Sequence, residues 1–102
     1  MASGRLGAVS PVANVNTNIF QTTSGKTSTF SLNVVNITSS KITFSVALSA
    51  STTPVDGEYI IFNQSLDAYE AFERSGLMNT STYYAVINAT GGCNAVAMGW
   101  EA

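Results

Sequence analysis

Ionisable side chains that could do chemistry are few in this sequence. There is no His among the 102 residues, so the commonest general base and the commonest metal ligand are both missing. The acidic residues include two close pairs, Asp56 with Glu58 and Glu70 with Glu73. A carboxylate pair can act on a glycosidic bond, but the first pair borders a turn and the second lies beside Arg74. Solvated or ion-paired surface carboxylates are the better interpretation of both.

The nucleophile and phosphate-loop candidates are equally weak. Cys93 is the single cysteine, so an internal disulfide is impossible, which agrees with a reducing compartment. It has neither the usual partners of a zinc site nor a His to activate it, and we interpret it as a small buried or turn residue. The segments "SGK" at 24–26 and "TGGC" at 90–93 lack the other glycine and the strand-to-helix setting of a phosphate loop. The sequence therefore predicts no catalytic residue, no metal and no cofactor, and a protein that is not an enzyme.

Aromatic side chains are the remaining candidates for recognition. Tyr69, Tyr83, Tyr84 and Trp100 could stack on a sugar or a base. Aromatic residues of strands are more often core residues or subunit contacts. A carbohydrate-binding module that uses Tyr83, Tyr84 or Trp100 for host recognition is therefore one alternative function.

The charge content restricts the class of partner. Four basic and six acidic residues make up 10% of the chain, against roughly 25% in an average soluble protein. Ser and Thr, 25 in all, make solvent-facing positions polar without making them charged. Low charge weakens repulsion between molecules, and a β protein of this kind is readily accommodated inside an assembly, where its strand edges are covered.

Nucleic acid and membrane are not expected as partners. The net charge is −2 and the four basic residues are scattered, whereas phosphate binding needs several clustered Lys or Arg. No apolar run approaches the roughly 20 residues that span a bilayer. The opening "MASGRLGAVSPVANV" does not resemble a signal peptide, so we expect the protein to stay in the cytoplasm in which it is made.

The elements that carry these residues are predicted to be strands. In "KITFSVALSA", 41–50, Ile42, Phe44, Val46 and Leu48 alternate with polar positions, as in a half-buried strand with a wet outer face. Similar segments at about 15–19, 27–37, 58–66, 82–89 and 94–102 are separated by turns every 8 to 12 residues. This spacing predicts one antiparallel β-sandwich, immunoglobulin-like or jelly-roll, over 14–102. Residues 1–13 have no usable period and are predicted to be an extended arm outside the core.

Three segments of the sequence give more local predictions. The turns "TSSK" at 38–41 and "TGGCN" at 90–94 predict hairpins between their flanking strands. The continuous apolar run Tyr59–Phe62 predicts a central strand covered on both sides. The segment "LDAYEAFERSG", 66–76, is ambiguous: Asp67 and Glu70 resemble a helix-capping pair, and the alternative is a loop through Tyr69 followed by a strand from Phe72 to Met78.

Three phrases of the sequence, taken in order, resemble a family of short virion structural proteins of tailed phages, particularly those of marine cyanobacteria. They are the opening "MASGRLGA", the segment "KTSTFSLNVVNITSSKITFSVALS" leading to "TPVDGEYIIFNQSL", and "AYEAFERSGL" with the closing "GWEA". The family's usual phrases are closer to "LERTG" and "GFE", continuing a strand, which favours the strand over the helix at 72–78. This chain departs from the family at "NATGGCN" and "MNTSTYY", where the loop tips differ.

The resemblance implies a particle component without catalytic residues. The leading hypothesis is a head decoration or cement protein of the virion, bound to the major capsid protein and self-associating. Its N-terminal arm would order on contact and add strand-like hydrogen bonds to a neighbour. A tail, neck, baseplate or fibre component is the nearest alternative. The candidate interaction residues are Arg5, Leu6, Val9, Tyr83, Tyr84 and Trp100.

Overall fold

The computed structural model describes residues 3–102 of the chain. Within this range the chain forms eight strands and one short 3-10 turn, Asp56–Glu58, so the predicted all-β class is confirmed. The strands are β1 Ser3–Val9, β2 Thr17–Gln21, β3 Ser28–Asn36, β4 Ile42–Ser49, β5 Tyr59–Leu66, β6 Ala71–Asn79, β7 Tyr84–Ala89 and β8 Cys93–Glu101.

The eight strands form two four-stranded antiparallel sheets. The first sheet has the order β1-β8-β3-β6 and the second the order β2-β7-β4-β5. Strands pair in a nested way, β1 with β8, β2 with β7, β3 with β6 and β4 with β5. This is the pattern of one long antiparallel hairpin rolled up on itself, which is the jelly roll. The predicted sandwich is therefore confirmed, and of its two predicted types the structure has the jelly roll.

Most connections between consecutive strands cross from one sheet to the other. The turn at 37–41 joins β3 of the first sheet to β4 of the second, and the turn at 90–92 joins β7 of the second sheet to β8 of the first. The two hairpins predicted at these turns are therefore wrong. Turn residues reveal that the chain reverses, but they do not reveal in which sheet the next strand finds its partner.

The core lies between the inner faces of the two sheets. Burial alternates strictly along β3, so that Phe30, Leu32 and Val34 point inward. Phe20 meets Phe30 edge to face, with ring centroids 5.0 Å apart. Each such fully buried side chain contributes roughly 1.5–3 kcal/mol to stability. The other buried apolar residues of the cluster are Ile19, Ile42, Phe44, Val46, Ile61, Leu66, Leu77, Ala85, Ile87, Ala89, Cys93, Ala95 and Ala97.

Strand β4 has the predicted alternation, but its outer face is less wet than expected. Ser45 and Ser49 are buried although they point away from the core. The Ser45 hydroxyl accepts a hydrogen bond from the Asn63 amide at 2.9 Å, and the Ser49 hydroxyl donates to the Glu58 carboxylate at 2.8 Å. Strand β5 and the loop that precedes it therefore cover part of this face.

The N-terminal segment is extended, as predicted, but it belongs to the first sheet. Residues 3–9 pair with β8 from Ser3 opposite Trp100 to Val9 opposite Ala95. Leu6 and Val9 pack against the core. The prediction of an arm outside the core is therefore corrected for residues 3–9, because apolar contact and ladder hydrogen bonds hold this segment on its own chain. Residues 1 and 2 of the predicted arm lie outside the described residues.

The apolar run 59–62 forms the start of an edge strand instead of a central one. Strand β5 is the outermost strand of the second sheet. Ile61 is buried, whereas Phe62 is 67% exposed and its ring lies 5.2 Å from that of Tyr59. The prediction of a strand covered on both sides is wrong, because apolar character alone does not distinguish a covered strand from an edge that exposes aromatic residues.

The ambiguous segment 66–76 contains no helix. Residues 67–70 form a turn, and β6 begins at Ala71. Asp67 and Glu70 do form a reciprocal pair, but it closes the turn: the Glu70 carboxylate accepts from the Asp67 amide at 2.9 Å, and the Glu70 amide donates to the Asp67 carbonyl at 3.0 Å. The loop-plus-strand alternative is confirmed.

Candidate interaction surfaces

Four large apolar side chains are exposed on the loops at one end of the sandwich. They are Val12 and Val15 between β1 and β2, Ile37 between β3 and β4, and Tyr69 between β5 and β6, and each is more than half exposed. We call these four residues the apolar loop end. Isolated exposed apolar residues are ordinary on protein surfaces, but a group of them on neighbouring loops is typical of an interaction site.

Backbone hydrogen bonds join the loops of this end to one another. The Tyr69 amide donates to the Thr38 carbonyl at 3.3 Å, and the Ile37 amide donates to the Gly92 carbonyl at 3.3 Å. The Asn14 amide donates to the Ala89 carbonyl at 2.7 Å. The four connections at this end therefore form a linked layer, and their apolar side chains are presented by an ordered backbone.

A buried amide holds the centre of this layer. Asn36 is fully buried, and its Nδ2 donates to the carbonyls of Ser40 at 2.8 Å, Asp67 at 3.0 Å and Leu66 at 3.3 Å. Its Oδ1 accepts from the Thr38 amide at 2.9 Å and the Thr38 hydroxyl at 2.7 Å. One side chain thus fixes the loop that carries Ile37 against the loop that carries Tyr69.

Tyr69 is held in an unusual backbone conformation. Its φ is 60°, in the left-handed region that a bulky residue rarely adopts. Its side chain is 69% exposed, so packing of the ring does not explain the choice of a tyrosine. Backbone strain of this kind concentrates at functional positions, which adds Tyr69 to the candidate interaction residues.

A second apolar surface covers the outer face of the first sheet. Trp100 and Met98 of β8 and Met78 of β6 are each about half exposed or more. Thr29 of β3 lies between Trp100 and Met78 in the same row, since it pairs with both. We call the whole outer face of the first sheet, with these four residues on it, the sheet face. A hollow of about 610 Å³ lies on it, floored by Thr29, Ser31 and the glycines at 4, 76 and 99 and bounded by Met98 and Trp100.

The structure brings together only some of the predicted interaction residues. Arg5 pairs with Met98 and is exposed on the sheet face beside Trp100. Leu6 and Val9 are instead half-buried against the core.

The two predicted tyrosines lie elsewhere. Tyr84 pairs with Ser49 and Gln21 on the outer face of the second sheet, and Tyr83 lies in the turn between β6 and β7. Both are half-buried. Trp100 and Tyr84 therefore occupy opposite faces of the sandwich and do not form one binding site.

The carboxylate pairs are used in local structure. Glu58 accepts hydrogen bonds from the Val55 amide at 3.0 Å, the Ser49 hydroxyl at 2.8 Å and the Ala50 amide at 3.3 Å. These hydrogen bonds, of which the one from the Val55 amide has the largest effect, hold the pKa of the Glu58 carboxyl below its ordinary value. Of the second pair, Glu70 closes the turn described above. The neighbouring Arg74 guanidinium donates to the Ile60 carbonyl at 3.2 Å, which links the edge strands β6 and β5.

Cys93 and the acidic side chains are the remaining candidates for a chemical site in residues 3–102. Cys93 is buried, and burial raises the pKa of its thiol, so it has the character of a core residue and not of an activated nucleophile. In this part of the chain no group of three Cys, Asp or Glu side chains is placed to hold a metal ion. No helix of the same residues is long and apolar enough to cross a membrane.

Comparison of the chain with protein-family models, with curated proteins and with solved structures gave no match. A function for this chain can therefore be inferred only from its sequence phrases and its surfaces. Sequence reasoning did not select Met78, Met98 or Ile37 as interaction residues, and it named Tyr69 only as an aromatic side chain that could stack on a sugar or a base. For Met98 a signal was present, since it lies two positions before Trp100 and a strand places such residues on one face.

Proposed function

We propose that this chain is a non-enzymatic structural protein of a bacteriophage virion, a decoration or cement protein bound to the assembled head. The sequence phrases that resemble short virion proteins support this assignment. The jelly roll is compatible with it, because viral capsid domains use this fold. Lectins and cupins use it as well, so the fold alone does not choose between functions.

The observation that carries the proposal is the apolar loop end. Val12, Val15, Ile37 and Tyr69 are exposed apolar side chains on hydrogen-bonded loops at the same end of a chain that has few charges. Because the loops are already ordered, docking costs less conformational entropy than it would for a flexible segment. Burial of these side chains against a shell protein is favourable at about 25 cal/mol per Å² of apolar surface.

This mode of docking replaces the predicted insertion of a free N-terminal arm. Residues 3–9 already pair with β8, so their backbone groups on that side are not available to a neighbour. Deletion of residues 1–10 would remove an edge strand of the first sheet and would therefore lower stability as well as any binding. Substitutions on the apolar loop end are the cleaner test, because these side chains are exposed.

The assignment to the head is tested by location and copy number. Virions of the encoding phage would be separated into heads and tails, and the protein would be quantified in each fraction by mass spectrometry. A decoration protein is expected in the head fraction in hundreds of copies. A tail, neck, baseplate or fibre component would be in the tail fraction in tens of copies or fewer, and absence from both fractions would overturn the virion assignment altogether.

The docking surface is tested by rebinding to heads stripped of the protein. The double variant I37S/Y69S is expected to bind with at least tenfold lower affinity, since two apolar contacts are lost. Phe62→Ser is the matched control, because Phe62 is as exposed as Tyr69 but lies on edge strand β5. Equal retention of the double variant and the control would eliminate the apolar loop end as the docking surface.

A further inference from the structure

The sheet face is complementary to a second copy of itself, and we propose that the protein forms a two-fold symmetric dimer through this face. In this dimer, the sheet face of the second molecule fills the hollow beside Trp100. This inference concerns a different surface from the apolar loop end and goes beyond the proposed attachment to a shell. The dimer is expected for the purified protein in solution, whether or not the protein is part of a virion.

The register of the first sheet defines how its outer face is arranged. Across the strands in the order β1, β8, β3 and β6, one row contains Trp100, Thr29 and Met78. The next row contains Arg5, Met98 and Ser31. A third row contains Ala8, Val96, Asn33 and Glu73. Large side chains thus follow β8, and small polar ones follow the neighbouring β3.

A two-fold axis that runs along the strands between β8 and β3 places β8 of one copy opposite β3 of the other. Met98 and Trp100 then face Ser31 and Thr29 of the second molecule, so that large side chains meet small ones. The same axis places β6 opposite β1, and Met78 comes to face the start of β1, where Ser3 occupies the same row as Trp100. Sheets that pack face to face interdigitate in this way across a gap of about 10 Å.

The charges of the face obey the same symmetry. Arg5 lies on edge strand β1 and Glu73 on the opposite edge strand β6, and both are exposed. Because the axis exchanges the two edges, Arg5 of each copy approaches Glu73 of the other. The two residues are one row apart, about 6–7 Å along the strand, a distance that an arginine side chain spans. Two intermolecular ion pairs therefore flank an uncharged centre.

The area available sets the expected strength. Four strands at a spacing of about 4.8 Å and seven to nine residues at about 3.3 Å give a face of roughly 20 by 25 Å. Two such faces bury on the order of 1,000 Å², which is the lower limit for a specific interface. The expected behaviour is a reversible dimer with a Kd in the micromolar range, reinforced where attachment to an assembly raises the effective concentration.

Sedimentation velocity on the full chain, from about 1 to 500 µM, tests the dimer. The wild-type protein is expected to shift from monomer to dimer across this range. Met98→Glu is expected to weaken the dimer at least tenfold, since it places a carboxylate in the apolar centre. Phe62→Glu, the matched control on β5, is expected to leave dimerisation unchanged, and far-UV circular dichroism would verify that both variants fold.

A charge exchange tests the symmetry itself. R5E and E73R should each weaken the dimer several-fold, because each brings like charges together, and the double variant R5E/E73R should recover the wild-type Kd. A protein that remains monomeric up to 500 µM would overturn the proposal. A dimer that Phe62→Glu disrupts while Met98→Glu does not would place the interface elsewhere, and failure of the double variant to recover would refute the two-fold arrangement.

Discussion

Replacement of Asn36 by alanine tests whether one buried amide organises the apolar loop end. The substitution removes all the hydrogen bonds of the Asn36 amide, in which the two Nδ2 hydrogens are shared among three carbonyls and Oδ1 accepts two bonds, and it leaves the Leu66 carbonyl without this partner in a buried environment. An unsatisfied buried acceptor costs about 1–3 kcal/mol, and each lost neutral hydrogen bond about 0.5–1.5 kcal/mol. Water can replace part of the loss at the partly buried carbonyls of Ser40 and Asp67. We therefore expect a decrease in unfolding free energy of about 3 kcal/mol.

Urea unfolding at neutral pH provides the measurement. A loss of this size should lower the midpoint by roughly 1–3 M, because m-values of small domains are about 1–3 kcal/mol per M. Hydrogen exchange at the amides of Thr38 and Tyr69 should also accelerate, since the loops that Asn36 joins would open locally. Asn33→Ala is the matched control: Asn33 lies three positions earlier on β3, on the outer face, with one long contact of 3.5 Å to Glu73.

The control should change the unfolding free energy by less than about 0.5 kcal/mol. If Asn36→Ala and Asn33→Ala have the same midpoint, the reasoning that assigns the order of the loop end to Asn36 is wrong. If the midpoint falls but exchange at Thr38 and Tyr69 is unchanged, Asn36 contributes to global stability without organising these loops.

Three further predictions concern stability and reactivity. Gly99→Ala should lower the melting temperature strongly, because a Cβ there would lie 1.9 Å from the Thr29 carbonyl oxygen. Gly57 has open space around it, so Gly57→Ala should change the melting temperature little. Equal melting temperatures of the two variants would contradict the close approach of β8 and β3. Because the pKa of Glu58 is lowered in the folded protein, its ionised carboxylate stabilises the fold above the ordinary pKa of 4.5, and this contribution is lost as the pH falls from there through the lower folded-state pKa. Glu58→Gln should therefore show a smaller decrease in urea midpoint between about pH 6 and pH 3 than the wild type. Cys93 should react with a thiol reagent only as fast as the protein unfolds, and rapid reaction under native conditions would show that it does not lie in the core.

The strand pattern could be predicted from the sequence where each strand has one buried face. In β4, Ile42, Phe44 and Val46 alternate with smaller or polar residues, and the structure buries them as predicted. The strand after Tyr69 was predicted with the help of a family resemblance, because its local pattern fits a short helix almost as well. Alternation is a property of neighbouring residues, and it survives in the sequence whatever the partner strand is.

Strand pairing and the candidate surfaces were less predictable, for a physical reason. The partner of β3 is decided by contacts with β6 and β8, which lie tens of residues away, and the turn at 38–41 contains no information about them. The exposure of Phe62 and Tyr69 depends on which strands lie at an edge and how loops fold together. In the sequence, Asn36 resembles any other polar residue near a strand end. The hydrogen-bond partners of its amide lie on neighbouring loops, and the sequence pattern does not show how these loops fold together.

The nested pairing of the strands also has a kinetic consequence. The first strand pairs with β8, whose partner residues lie 86–97 positions later in the chain, so the first sheet remains incomplete until β8 has been synthesised. Such a high contact order is characteristic of slow folders, which reach the native state in milliseconds to seconds. During that interval apolar strands have unsatisfied edges, and crowded newly made chains risk joining one another at those edges. A chaperone that covers these strand edges until β8 has paired would therefore reduce aggregation of the newly made chains.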